Sequence, residues 1–152
     1  MRCRAGFTIV ELVVVVVIIG VITAVAIPRF SRANQNALTN AAARDFRQIE
    51  TALRLYYADH RAWPPNQLSG VYPPELAGYY DQPQWESGPT FGDRWDWNPN
   101  LGPLRPHVSM YGEDFGAQPL VEFDARFDDG DVNTGNVQRW GAFGQLAWKI
   151  TP

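Results

Sequence analysis

The stretch that decides the architecture lies near the N-terminus and reads GFTIVELVVVVVIIGVITAVAIP over residues 6–28. The 21 residues from Phe7 to Ile27 are apolar almost throughout. As a helix they measure about 31 Å, which is long enough to cross the hydrocarbon core of a bilayer. Valine and isoleucine are mediocre helix formers in water, but a bilayer forces backbone groups to pair within the segment. We therefore predict a transmembrane helix over 7–27, with one costly carboxylate, Glu11, near its start.

Three hypotheses explain this segment. A cleaved secretory signal is suggested by Ala24-Val25-Ala26, but the apolar run exceeds the roughly 7–15 residues of such signals and contains a glutamate. A plain membrane anchor explains the length and leaves Glu11 unexplained. Arginines flank the span on both sides, so the positive-inside rule does not fix its orientation.

The third hypothesis gives Glu11 a purpose. If the basic leader, residues 1–6, is removed after Gly6, then Phe7 gains a free amine four residues before Glu11, one helical turn away. In a bundle of such helices, the carboxylate of one helix can pair with the amine of its neighbour. Glu11 would then set the axial register between subunits.

The order and spacing of these features resemble the class III signal of type IV pilins and type II secretion pseudopilins. The matching features are the basic leader, Gly6, Phe7, Glu11 with the apolar run behind it, and Pro28. The resemblance implies that a prepilin peptidase cleaves after Gly6 and methylates the amine of Phe7. It also implies that Glu11 acts in assembly.

The same resemblance implies partners and a location. The partners are other pilin-like subunits in a homo- or hetero-oligomer, the prepilin peptidase and an inner-membrane assembly platform. The chain would cross the inner membrane once, with its N-terminus cytoplasmic and its head periplasmic, and would enter a filament after assembly.

Beyond the span, apolar residues recur every three or four positions as far as Tyr57, which predicts an amphipathic helix over 28–62. Together with the span it forms one N-terminal helix over 7–62, ending before Pro64 and Pro65. Pro28 should kink this helix and Gly20 should weaken it. The resemblance implies that the stretch from Gly20 to Pro28 loses helicity on assembly.

Residues 63–152 form the predicted globular head. A proline- and glycine-rich stretch follows residue 63, with one short helical turn expected over 74–77. Short strands are predicted at RWDWN, HVSMYG, VQRW and QLAWKI, the last two joined as a hairpin through 141–144, while PLVEFDARF fits either a strand or a short helix. All six tryptophans lie in this part, which predicts an aromatic core. A long helix packed on a small antiparallel sheet makes the fold α+β, as in pilin-like heads.

Composition and charge narrow the function. With 45% apolar and 19% charged residues, the chain is neither disordered nor a multi-span membrane protein. The two histidines, His60 and His107, are far from any metal or nucleophile motif, so we predict no enzymatic activity. Residues 29–62 have a net charge of +3 and residues 63–152 one of −7. The acidic head argues against nucleic-acid binding.

One loop, DDGDVNTGN, is a candidate calcium site. Asp128, Asp129, Asp131 and Asn133 place four oxygen-bearing side chains within six residues. Calcium prefers such hard oxygen ligands, although the spacing is not that of an EF-hand. The same residue types are ordinary turn formers that cap their own backbone, which is the alternative explanation. Some of the pseudopilins that this chain resembles hold calcium in a loop of the C-terminal head, and no cofactor is otherwise required.

The sequence therefore predicts a structural subunit of a type II secretion pseudopilus or a related type IV pilus-like filament. One alternative is a surface type IV pilin. The other, from a different class, is a single-pass membrane-anchored binding module that never polymerises.

Overall fold

The computed structural model describes residues 8–90, 92–102, 104–112, 117–141 and 145–151. Its first element is helix α1, Ile9–His60, which continues without interruption through Gly20 and Pro28. The helix ends where Arg61 adopts a left-handed φ of 54°, three residues before Pro64. The helix end predicted near residue 62 therefore agrees with the structure, whereas loss of helicity between Gly20 and Pro28 on assembly stays a prediction.

The chain divides into two compact units, residues 1–37 and 38–152. The first contains the apolar part of α1. The second contains the rest of α1, a 3-10 turn at Pro74–Leu76, and helices α2, Gln82–Glu86, and α3, Ala117–Phe127. It also contains four strands: β1 Arg94–Asn98, β2 His107–Tyr111, β3 Val137–Trp140 and β4 Gln145–Lys149.

The four strands form one antiparallel sheet in the order β1-β2-β4-β3. All four strands agree with the sequence prediction, and so does the pairing of β3 with β4, although residues 142–144 between them lie outside the described residues. The segment that fitted either a strand or a helix is helix α3. The α+β fold class is confirmed.

One face of the sheet packs on α1 through aromatic side chains. Phe46 of α1 is fully buried, with its ring centre 5.1 Å from that of Trp95 on β1 and 5.5 Å from that of Trp148 on β4. Trp85 and Trp97 are also fully buried in this core. Such edge-to-face and stacked pairs stabilise a core beyond the area they bury. The aromatic core predicted from the tryptophan distribution is present.

The opposite face of the sheet is also buried, but it is polar. Its side chains come from three strands and are Asp96, Asn98, His107, Ser109 and Gln145. Trp140 of β3 covers part of this face, with its ring edge-on to His107 at 5.4 Å between centres. The sheet is therefore enclosed on both faces, although only one of them is apolar.

Candidate functional site

The first candidate site is the start of helix α1. The backbone N–H and the hydroxyl of Thr8 both donate to Oε2 of Glu11, at 2.9 and 2.8 Å. The N–H of Glu11 donates back to the Thr8 hydroxyl oxygen at 3.2 Å. This is a capping box, which provides partners for N–H groups that a helix start leaves unpaired. The predicted cleavage residues Gly6 and Phe7 lie outside the described residues.

The capping box engages only one of the two oxygens of Glu11. Among the described residues, Oε1 has no hydrogen-bond partner, so it is open to a group from outside the chain. Glu11 therefore has a local role within its own helix in addition to the predicted role in assembly. Sequence reasoning missed this local role, although the spacing of Thr8 and Glu11 matches the capping-box pattern.

The apolar part of α1 has no cover from the residues that the structure describes. Every described side chain from Ile9 to Ile27 is exposed, including the run of valines at its centre. The helix is long and apolar enough in this part to cross a membrane. A continuous apolar surface of this size is not stable in water, so lipid or other helices must cover it.

The second candidate site lies where α3 ends. One carboxylate oxygen from each of Asp124, Asp128 and Asp129 lies within 4.8 Å of the other two. The N–H of Asp128 donates to the carbonyl oxygen of Asp124 at 2.8 Å, which continues the helical pattern by one residue and places the two side chains one turn apart. Three negative charges are thereby brought close together.

Asp124 is the unusual member of this three-carboxylate cluster. It is fully buried, and neither of its side-chain oxygens has a hydrogen-bond partner of normal geometry in the described part of the chain. Burial raises the pKa of Asp124 to about 6, and the charges of Asp129 and Asp128 add to this effect, against a smaller opposing influence of the Gly130 amide. A buried carboxylate without a partner is destabilising, and a cation bound among the three would supply what it lacks.

Hydrogen bonds fix the other two carboxylates. Asp128 accepts from the N–H groups of Asn136 and Val137, which ties it to the start of β3. Asp129 accepts from the N–H of Asp131 at 2.9 Å and from the Thr134 hydroxyl at 2.8 Å. The N–H of Asp131, followed by the Thr134 hydroxyl, lowers the pKa of Asp129. The loop therefore holds these carboxylates in place without neutralising them.

The structure separates the four predicted calcium ligands into two pairs. Asp128 and Asp129 belong to the three-carboxylate cluster, whereas Asp131 and Asn133 bond to each other. Oδ1 of Asp131 accepts from the backbone N–H of Asn133 at 3.0 Å and from its side-chain amide at 2.9 Å. This second pair has the geometry of a self-capping turn.

Comparison with known proteins bears on the first site. Residues 1–27 match the family described as the prokaryotic N-terminal methylation motif. The chain begins with a methylation motif. The predicted resemblance is thus confirmed, and Glu11 with its capping box lies inside the methylation motif.

Relatives of both expected kinds match part of this chain. The chain is 34% identical over 81 residues to type IV major pilin protein PilE1 of Neisseria gonorrhoeae, covering 52% of this chain and 38% of the pilin. It is 36% identical over 66 residues to type II secretion system core protein G of Pseudomonas aeruginosa, covering 43% of this chain and 46% of that protein. The chain thus spans less than half the length of these relatives. No solved structure matches it significantly.

Proposed function

We propose that this chain is a structural subunit of a type II secretion pseudopilus or a related type IV pilus-like filament. The observation that carries the proposal is a methylation motif at the start of an apolar helix that no described residue covers. In this proposal the helix holds the subunit in the inner membrane, with the head on the periplasmic side. A prepilin peptidase then processes it, and an assembly platform transfers the helix from lipid to the centre of a filament. Its work is mechanical rather than catalytic.

A membrane-anchored binding module that never polymerises is the rival from another class. The capping box matters here, because it gives Glu11 a use even in a helix that stays alone. The presence of the glutamate is therefore not sufficient to separate the two functions. The charge of Glu11 does separate them, since a capping box needs only an oxygen acceptor, whereas a neighbour's amine needs a carboxylate.

The N-terminus of the mature protein tests the processing step. We expect the chain isolated from its own membrane to begin at Phe7 with a methylated amine. The match of residues 1–27 to the methylation motif supports this expectation, and the resemblance to prepilin signals implies cleavage between Gly6 and Phe7. Mass spectrometry of the intact protein and of its N-terminal peptide measures both features. Recovery of Met1, or of a chain starting near Ile27 as a secretory signal would produce, contradicts the proposal.

We further propose that the three-carboxylate cluster binds calcium. The donor set fits the ion, because Asp124 near the end of α3 and Asp128 and Asp129 just after it supply hard oxygen ligands. Asp124 supports the proposal most directly, since its buried carboxylate has no hydrogen-bond partner of normal geometry among the described residues. When bound, the ion would tie the end of α3 to the start of β3 through Asp128.

Calcium is then expected to raise the melting temperature of the head. Saturation at 100 times the dissociation constant stabilises a folded state by about 2.7 kcal/mol. We expect this gain in wild type and its loss with a chelator, measured by tryptophan fluorescence during thermal unfolding. Asp124→Asn should remove the calcium response while raising the melting temperature in chelator, because it removes a buried charge. A calcium response retained by Asp124→Asn contradicts the site.

Two glycines in the loop offer a matched pair of variants. Gly135 and Gly130 both have left-handed φ angles, 74° and 88°, so a side chain at either costs similar backbone strain. A Cβ at Gly135 would lie 2.0 Å from Oδ2 of Asp128, whereas one at Gly130 meets nothing closer than 3.7 Å. Gly135→Ala should therefore weaken the calcium response, and Gly130→Ala should keep it. Equal responses in the two variants would place the ion elsewhere.

A further inference from the structure

A groove runs beside the second half of α1, in the unit formed by residues 38–152. Its volume is about 580 Å³. Arg44 and Arg47 line it from α1, with Ala52 and Leu55 further along the same helix, and Tyr79 and Tyr80 face them from the segment before α2. The side-chain amide of Gln84 donates to Oε1 of Gln48 at 2.7 Å, which links the α2 side of the groove to α1. The groove is therefore braced between two elements.

The two arginines bring positive charge that no described carboxylate neutralises through an ion pair. Neither groove arginine takes part in the ion pair that Arg54 forms with Glu50 at 2.7 Å. Arg47 has its guanidinium carbon 5.6 Å from the centre of the Phe127 ring, which orients the side chain without neutralising it. Asp81 at the rim is the one carboxylate in the lining, so cationic groups outnumber anionic ones.

The complementary negative charge lies elsewhere on the same chain, in residues 63–152. Residues 63–152 have a net charge of −7. Within the loop after α3, Asp131 is exposed and stands outside the three-carboxylate cluster. Its side chain accepts only from Asn133, a neutral neighbour, and no cationic group in the described residues pairs with it. Its charge is therefore available to a partner even when the cluster holds an ion.

We propose that the groove of Arg44 and Arg47 binds the Asp131 loop of a second copy of this chain. Two guanidinium groups beside a partly apolar floor suit a carboxylate presented on a small loop. The contact joins two different surfaces, so it leaves a free groove on one subunit and a free loop on the other, and it can repeat without closing. This inference rests on the proposed function and adds the contact between heads.

Cysteine pairing tests the contact in assembled filaments. The native sequence has one cysteine, Cys3, which lies in the leader, so introduced thiols have no native competitor after processing. The full chain with Arg47→Cys and Asp131→Cys should give a ladder of disulfide-linked multimers under mild oxidation. Each single-cysteine variant should give no ladder. As a matched control, Arg61→Cys with Asp131→Cys places the first thiol outside the groove and should also give none.

Charge exchange tests the same contact without oxidation. Arg44→Glu with Arg47→Glu should lower filament yield at least tenfold, and adding Asp131→Arg should recover a large part of it. Helical content and the unfolding transition of each variant, measured in detergent, show that the head still folds. The matched control is Arg61→Glu, which should leave the yield unchanged.

The outcomes separate the two proposals. If the wild type forms filaments but the Arg47→Cys, Asp131→Cys variant gives no ladder, the contact is overturned and the proposed function stands. The same holds if adding Asp131→Arg does not recover the filament yield. A wild-type chain that is correctly processed at Phe7 and never polymerises overturns the proposed function itself. A ladder formed equally with Arg61→Cys shows random collision and also overturns the contact.

Discussion

Replacing Glu11 with glutamine is expected to leave the chain in the membrane and exclude it from filaments. Glutamine keeps a side-chain oxygen that can accept from Thr8, so the start of α1 should remain capped. It has no charge to pair with the amine of a neighbouring Phe7. Loss of one partner from a buried ion pair costs about 3–5 kcal/mol, which corresponds to a hundredfold or greater depletion. Co-expression with wild type and quantification of both forms in purified filaments measures this depletion.

A second substitution isolates the capping role. Thr8→Val removes the hydroxyl that bonds to Glu11 and keeps the carboxylate, so its helix start should be weaker by about 1 kcal/mol while the charge remains. If Thr8→Val is excluded from filaments as strongly as Glu11→Gln, capping rather than charge limits entry. If Glu11→Gln enters filaments as well as wild type, the role of Glu11 in assembly is wrong.

Acid is expected to destabilise the head through His107. This side chain on β2 is fully buried, and neither ring nitrogen has a hydrogen-bond partner in the described part of the chain. Burial lowers the pKa of His107 to about 4 from an ordinary value of 6.5. Because the unfolded chain takes up the proton more readily, the contribution of neutral His107 to the free energy of unfolding is complete above pH 6.5 and falls between pH 6.5 and 4. The free energy of unfolding lost over this range is about 3 kcal/mol.

Two variants identify the group responsible. His107→Leu should flatten the loss of stability between pH 6.5 and 4, measured by urea unfolding in detergent with tryptophan fluorescence. His60→Gln should not, because His60 at the end of α1 is exposed. Each variant is compared with wild type at the same pH, since Asp124, with its pKa raised to about 6, has the opposite effect. A steep acid transition retained in His107→Leu would assign it to another group.

Much of the fold follows from local sequence patterns. The four strands are visible because each is a short segment with aromatic or apolar residues among polar ones, close to turn residues, as RWDWN before Pro99 shows. The sequence of helix α3 is ambiguous, because its apolar residues Leu120, Val121 and Phe123 fit both the period of a helix and that of a strand. Helix α2 was not predicted, since a five-residue helix with a proline in its first turn shows no period. Its position is determined by the burial of Trp85, which is a tertiary effect.

The candidate sites also divide into residues that a linear motif indicates and residues that only the folded chain brings together. The roles of Phe7 and Glu11 come from a resemblance carried by a linear motif, and they stay predictions. Asp124 was missed because its relation to Asp128 depends on α3 being a helix, and on a strand the two would not meet one turn apart. The polar face around His107 was also missed. Strand pairing brings its residues together from distant parts of the chain, and no local pattern records that.

The strand order has a consequence for when the head can form. Among the four described strands, β4 comes last in sequence, yet it lies inside the sheet between β2 and β3 rather than at its edge. Until Gln145–Lys149 emerge from the ribosome, β2 and β3 have no common partner, and the residues before them cannot complete the sheet. The sheet should therefore stay incomplete until β4 has been synthesised. A head whose sheet is incomplete is closer to the unfolded state that threading through a narrow translocation channel requires.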